Sequence, residues 1–265
     1  MQRQEQQPGS VASTGAGLPA FSPGWAIFLD IDGTLLEHAE RPDAVRADAA
    51  LGRLLGELSD VTGGALALIS GRAVAELDML FAPLRLAVAG QHGIERRDAH
   101  RTVHRHMFPL EPLRRAARQL GEFAAGHAGL LLEDKGHSLA LHYRLAPELA
   151  AAAREAVMQA LAALGPAFEL QSGKLVYEIK PEGRDKGTAI QEFLAEAPFA
   201  GRLPVFIGDD ATDEYGFAIV NRADGHSIKV GPGASMARWR LADAAAVRRW
   251  LDAYVAYAGA QAGTR

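Results

Sequence analysis

The stretch FLDIDGTLLE, Phe28 to Glu37, sets Asp30 and Asp32 one residue apart directly behind an apolar run, and Gly33 and Thr34 follow at once. Like charges so close raise one another's pKa, so the pair needs a cation or a shared proton. A second acidic group, Asp209, Asp210 and Asp213 in FIGDDATDE, follows the apolar run PVFI. Ser70 and Gly71 of LISGR follow a third, ALALI, and Lys186 opens the helical pattern KGTAIQEFL. Carboxylates, a hydroxyl and an ammonium group suit phosphoryl transfer, in which a cation and a lysine offset the repulsion between a phosphate dianion and an attacking carboxylate. In that chemistry Asp30 can be the nucleophile, forming an aspartyl-phosphate. Asp32 can protonate the leaving oxygen and then deprotonate the attacking water, which requires a proton on Asp32 near neutral pH and hence a raised pKa. Gly33 would let the chain turn so that backbone N–H groups face phosphate oxygens. The chain has no cysteine, and acidic oxygens without thiolates favour Mg²⁺.

These groups converge only if the runs that carry them lie side by side. The runs at 26–29, 65–69 and 86–89 alternate with helical patterns over Asp43–Leu58 and Ala73–Phe81. The rhythm returns later, with helices over Lys186–Leu194, Thr212–Val220 and Asp243–Tyr257 around strands at 204–207 and 227–230. Uniformly apolar strands between helices predict an α/β fold, a doubly wound parallel sheet covered on both faces. Ligands bind outside the carboxyl ends of such strands, where the acids and Ser70 fall. Between the two blocks the pattern changes to helix–strand–strand, twice. The strands SLALHYR (138–144) and KLVYEIK (174–180) alternate apolar and polar residues, as in a sheet covered on one face. The expectation is a core at 21–108 and 183–265 with an inserted α+β cap at 109–182, after a disordered, Gln- and Ser-rich tail at 1–20.

Composition narrows the partners. A formal net charge of −4 suggests neither a nucleic-acid footprint nor a basic membrane-binding face. The absence of cysteine excludes a disulfide framework, and no apolar run approaches the ~18 residues of a membrane span. The expected location is the cytoplasm.

DIDGT at 30–34, SGR at 70–72, Lys186 and GDDATDE at 208–214 resemble, in order, the four motifs of the haloacid-dehalogenase-like phosphatases. GQHGIE at 90–95, EDKGHSLALHYR, GKLVYEIKP and KGTAI are similar to the trehalose-6-phosphate phosphatases within them, with Gln91 where that family usually has Asn. The resemblance implies Mg²⁺-dependent hydrolysis of trehalose 6-phosphate to trehalose and phosphate, a step of trehalose biosynthesis, and pairing with a trehalose-phosphate synthase. It implies metal ligation by Asp30, Asp209 and the backbone of Asp32, with Asp210 and Asp213 either supporting the metal or holding Lys186. It implies phosphate binding by Asp32, Gly33, Thr34, Ser70, Gly71 and Lys186. Sugar binding would fall to Gln91, His92, Glu133, Lys135, Arg144, Lys174 and Glu178. Lys174 and Glu178 share parity on their strand, so they point to one side. The bland readings stand beside these: Ser70 capping a helix, His92 satisfied in a core, the insert's charges solvated on an open sheet face. The same chemistry on sucrose 6-phosphate or a mannosyl phosphoglycerate stays open. So does a non-catalytic sugar-phosphate sensor, although a sensor would not need Asp30, Asp32 and Lys186, and all three are present.

Overall fold

A computed structural model describes residues 17–37, 47–173 and 175–262. Most of the expected tail and Lys174 lie outside the described residues. In chain order the elements begin with β1 (Trp25–Leu29), α1 (Ala49–Val61), β2 (Leu66–Ile69), α2 (Val74–Leu80), β3 (Ala87–Gly90), β4 (Glu95–Arg97) and β5 (Val103–Arg105). The insert supplies α3 (Leu110–Ala125), β6 (Leu131–Asp134), β7 (Leu139–His142), α4 (Ala150–Leu164), β8 (Phe168–Gly173) and β9 (Val176–Pro181). The chain then returns through α5 (Lys186–Leu194), β10 (Leu203–Gly208), α6 (Asp213–Arg222), β11 (His226–Val230), β12 (Trp239–Leu241) and α7 (Ala244–Ala262). None of the described helices is long and apolar enough to cross a membrane.

All five residues of β1 are buried. Trp25, Ile27 and Leu29 join the apolar layer that also holds Leu55 and Leu58 of α1 and Leu251 of α7. Ala26 and Phe28 join the opposite layer, with Phe193 of α5 and Phe217 of α6. A strand buried on both faces belongs inside a helix-covered parallel sheet. The order is β12-β11-β10-β1-β2-β3-β4-β5, and β12 to β3 are parallel. The chain runs outward from β1 to β2 and β3 on one side, then returns to β10 on the other. The strand order therefore reverses between β1 and β10, the crevice where open α/β sheets bind ligands. Asp30 directly follows β1 at that crevice, and Asp209 directly follows β10.

The sheet is wider than the sequence suggests. β4 and β5 extend it antiparallel, although their sequences, ERR and VHR, carry charge. The charges are satisfied locally: Arg97 donates to Asp78 at 2.8 Å and Arg96 pairs with Glu192 at 3.2 Å. β12 was likewise unforeseen. α1 begins at Ala49, where Asp48 caps it by accepting from the Leu51 amide at 2.7 Å; the expected start at Asp43 lies outside the described residues.

The insert forms a separate antiparallel sheet, β6-β7-β9-β8. Leu139, Leu141 and Ile179 face Leu113 and Leu120 of α3 and Val157 of α4. The register aligns Glu133, Ala140, Glu178 and Gln171 in one row across the four strands, on the face away from those helices.

α5 and α6 cross so closely at Gly187 that an added Cβ would lie 2.5 Å from the Tyr215 carbonyl oxygen. Backbone cannot yield there, so Gly187→Ala is expected to lower stability by about 1–3 kcal/mol. Gly52 of α1 has nothing within 4 Å of the equivalent position, and Gly52→Ala should raise stability by roughly 0.5–1 kcal/mol. Urea denaturation midpoints check both signs.

Candidate active site

The buried centre of the crevice is an ammonium group between two carboxylates. Lys186 is the first residue of α5, whose start is set by Asp185: its carboxylate accepts from the Thr188 amide at 2.7 Å, completing a capping box. From there Lys186 Nζ donates to Asp30 Oδ1 and to Asp213 Oδ1, each at 2.7 Å. All three side chains are almost wholly buried. Burial pushes Asp30 up to about 6 against the pull of Lys186, and the neighbouring Asp209 adds to the rise. Burial likewise pushes Asp213 up to about 6, opposed by Lys186 and reinforced by Asp30. Burial alone would lower Lys186, but Asp213 and Asp30 outweigh it and raise the ammonium above its usual range. One lysine thus serves more negative charge than it can neutralise.

The loop after β10 shows how the acids divide their work. Asp213 Oδ2 accepts from the backbone amides of Asp209 and Asp210, both at 2.9 Å, so both of its oxygens are engaged. Asp213 thus holds Lys186 and shapes the loop. Asp210 is exposed, and its carboxylate accepts from the Ala211 amide. Asp209 Oδ1 accepts from Thr34 Oγ1 at 3.4 Å. Oxygens of Asp30, Asp209 and Asp213 lie within 4.8 Å of one another. Asp30 Oδ2 is buried without a hydrogen-bond partner among the described residues. An orphaned buried carboxylate oxygen beside surplus negative charge fits a hard divalent cation, which Asp30 and Asp209 would hold.

Asp32 has a different neighbour. Arg72 of SGR donates to both its oxygens, at 2.6 and 2.7 Å, a bidentate pair. That hydrogen bonding raises the Arg72 guanidinium further above its usual range, despite burial. Arg72, which the sequence assigns no role, thus holds both Asp32 oxygens. Ser70 is buried at the end of β2, and its Oγ accepts from the Arg72 amide at 3.1 Å. Gly33 does turn the chain, at φ 87°. However, its amide donates to the Leu36 carbonyl at 2.7 Å and that of Thr34 to Ile31 at 3.3 Å. Both N–H groups close the turn and do not face outward as expected.

The insert lays its polar row over this floor. Glu178, buried, accepts from Ser138 Oγ at 2.7 Å and Lys135 Nζ at 3.2 Å, and stands 3.7 Å from His92 Nε2. Burial pushes its carboxyl up, but His92, Lys135 and Ser138 outweigh that and hold it well below the usual carboxylate range. Gln91 Nε2 donates to the Lys135 carbonyl at 2.7 Å. Gln91 and His92 both have positive φ, 47° and 56°, a conformation that side chains other than glycine adopt at a cost. The His92 ring also lies over Gly71, where an added Cβ would come within 2.9 Å of Nε2. Glu133 pairs with His142 at 3.0 Å, which lowers its carboxyl, and its charge is felt by Arg72 of the core. Gln91, His92, Glu133, Lys135 and Glu178 are therefore brought together. Arg144 is not: it is exposed in the turn after β7, at the opposite end of that strand from Lys135 and Ser138.

The chain matches the trehalose-phosphatase family over residues 28–244. It is 47% identical to the trehalose-6-phosphate phosphatase of Escherichia coli over 237 residues, 88% of each chain. It is 31% identical to a bifunctional trehalose-6-phosphate synthase/phosphatase of Thermoproteus tenax, spanning 85% of this chain and 31% of that one. Among solved structures, a trehalose-6-phosphate phosphatase related protein superposes with a TM-score of 0.76 at 27% identity, covering 89% of this chain and 98% of that one.

The surplus charge has a measurable consequence. A carboxylate whose folded pKa is raised opposes folding once ionised. For Asp30, the penalty grows as pH rises from the ordinary value of 3.8 through about 6 and is complete above that. In chelator, Asp30→Asn should therefore be more stable than wild type at pH 7.5, by up to about 3 kcal/mol. The difference should shrink towards zero near pH 4. Thermal melts at the two pH values test the sign.

Proposed function

The chain belongs to the trehalose-phosphatase family, and from that premise we propose that it hydrolyses trehalose 6-phosphate through a phosphorylated Asp30. The observation that carries the reading is the closure of the insert's polar row over the strand ends, with Glu178 3.7 Å from His92 and Gln91 bonded to Lys135. Phosphate would sit between Asp30, Lys186 and Ser70, and the sugar between Gln91, His92, Glu133, Lys135 and Glu178. A Mg²⁺ ion held by Asp30 and Asp209 would supply the positive charge that lets a phosphate dianion approach a carboxylate.

Asp30 attacks phosphorus and the bond from phosphorus to the sugar oxygen breaks. Asp32 delivers a proton to that oxygen, then takes one from the water that attacks the aspartyl-phosphate, releasing phosphate and restoring Asp30. Arg72 orients Asp32, one of whose oxygens has to leave the guanidinium to carry the proton, and Lys186 keeps Asp30 aimed into the crevice. The insert's carboxylates and ammonium group accept from and donate to sugar hydroxyls, and its closure excludes water from the first step. The Thermoproteus relative joins synthase and phosphatase in one chain by its name, which supports pairing of this chain with a synthase.

A panel of sugar phosphates, assayed for phosphate release with and without Mg²⁺, tests the substrate. Trehalose 6-phosphate should be preferred, with activity lost in chelator; preference for sucrose 6-phosphate or a mannosyl phosphoglycerate would reassign it. Glu178→Ala separates recognition from chemistry. A hydroxyl bonded to a carboxylate contributes roughly 1.5–3 kcal/mol, so kcat/KM for trehalose 6-phosphate should fall by about one to two decades. Hydrolysis of p-nitrophenyl phosphate, which has no sugar, should change by only a few-fold. Equal losses would place Glu178 in the fold or the core site.

A further inference from the structure

β11 buries a lysine that the chemistry above does not use. Ile228 and Val230 point into one apolar layer, so Ser227 and Lys229 point to the other side, towards α6. Ser227 Oγ donates to Asn221 Oδ1, near the carboxyl end of α6, at 2.6 Å. Lys229, beside Gly208 in the register and nearer the carboxyl ends of the strands, reaches the loop that opens α6. Its Nζ donates to the backbone carbonyl of Asp209, and to that of Val230 at 3.2 Å. Lys229 is 6% exposed. An ammonium buried against carbonyls is a costly way to fill space that a methionine would fill.

The loop is thus gripped from two sides. The Asp213 carboxylate takes the amides of Asp209 and Asp210, while Lys229 takes the Asp209 carbonyl. With both peptide groups of Asp209 held, its side chain has a fixed root next to Asp30.

We propose that Lys229 is a positioning residue that sets the backbone of Asp209 for divalent-cation binding. The proposal rests on the cation site described above. It makes a prediction opposite in sign to simple electrostatics. Removing a positive charge near a cation site should, through charge alone, tighten cation binding. Removing a group that orients a ligand should weaken it, typically by about 10- to 100-fold.

Isothermal titration of Mg²⁺ into the full-length, metal-free protein at pH 7.5 decides between them, for wild type, Lys229→Met and Lys229→Gln. Circular dichroism and melts in chelator confirm folding. Lys229→Met is expected to bind Mg²⁺ at least about tenfold more weakly than wild type. Lys229→Gln, whose amide keeps a donor on a side chain one bond shorter, should lose at least about threefold. At saturating Mg²⁺ both variants should recover most of kcat. Binding as tight as, or tighter than, wild type in either folded variant overturns the proposal. Failure of wild type itself to bind Mg²⁺ would instead sink the cation site on which it rests.

Discussion

The Lys186 ammonium between Asp30 and Asp213 is the constraint on which the rest of the site depends. Three separate elements meet there: Asp30 at the end of β1, Asp213 at the start of α6, and Lys186 at the start of α5. Each must arrive at hydrogen-bonding distance with water excluded, which demands rigid supports. The fully buried β1 supplies one. The close approach of α5 to α6 at Gly187, one residue after the lysine, supplies another. Asp213 then works twice, anchoring the ammonium with one oxygen and shaping the β10–α6 loop with the other. Removing Lys186 would strand two buried carboxylates, a loss that typically costs about 3–5 kcal/mol.

The arrangement leaves Asp30 with one oxygen held and one without a hydrogen-bond partner among the described residues, and with more negative charge nearby than one lysine can offset. That imbalance is unfavourable for folding and useful for chemistry: a carboxylate that is only partly satisfied is available to a cation and to phosphorus. Recognition is built elsewhere and in a different style. The backbone at Gln91 and His92 is held in a left-handed conformation, which brings His92 over Gly71 and up to Glu178. The insert's sheet answers with a row of side chains set by strand register, with the small Ala140 between Glu133 and Glu178. Chemistry thus sits on strand ends and helix starts of the core, and recognition on the insert's open face.

Much of this was legible in the residues. Apolar runs ending on acids gave away the parallel sheet and its carboxyl edge, because a strand buried on both faces leaves no other pattern. The alternation in SLALHYR and KLVYEIK marked a second sheet with one open face. Other features have weaker signatures. β4 has no apolar signature because Arg96 and Arg97 are neutralised by Glu192 and Asp78, partners that only the fold brings near, and β5 pairs its charges with Asp98 and Glu95. Arg72 lay in plain view within SGR, but its aim at Asp32 crosses 40 residues of chain. The Gly33 and Thr34 amides close their own turn, which residue types alone do not reveal. Arg144 follows from family likeness, and the length of β7 carries it to the end away from Lys135 and Ser138. Lys229 had a signal, a charge inside a buried strand, that strand periodicity alone does not interpret.

Asp30, aimed by Lys186, takes the phosphoryl group in the proposed reaction. An acyl phosphate on a carboxylate is reduced by borohydride to the alcohol, leaving a mass change at the residue that carried it. Protein quenched during turnover of trehalose 6-phosphate with Mg²⁺, reduced and digested, should show homoserine at position 30, and none in samples quenched without substrate. Homoserine at another aspartate, or its absence from every position while turnover proceeds and a known acyl phosphate protein is labelled in parallel, would contradict the account.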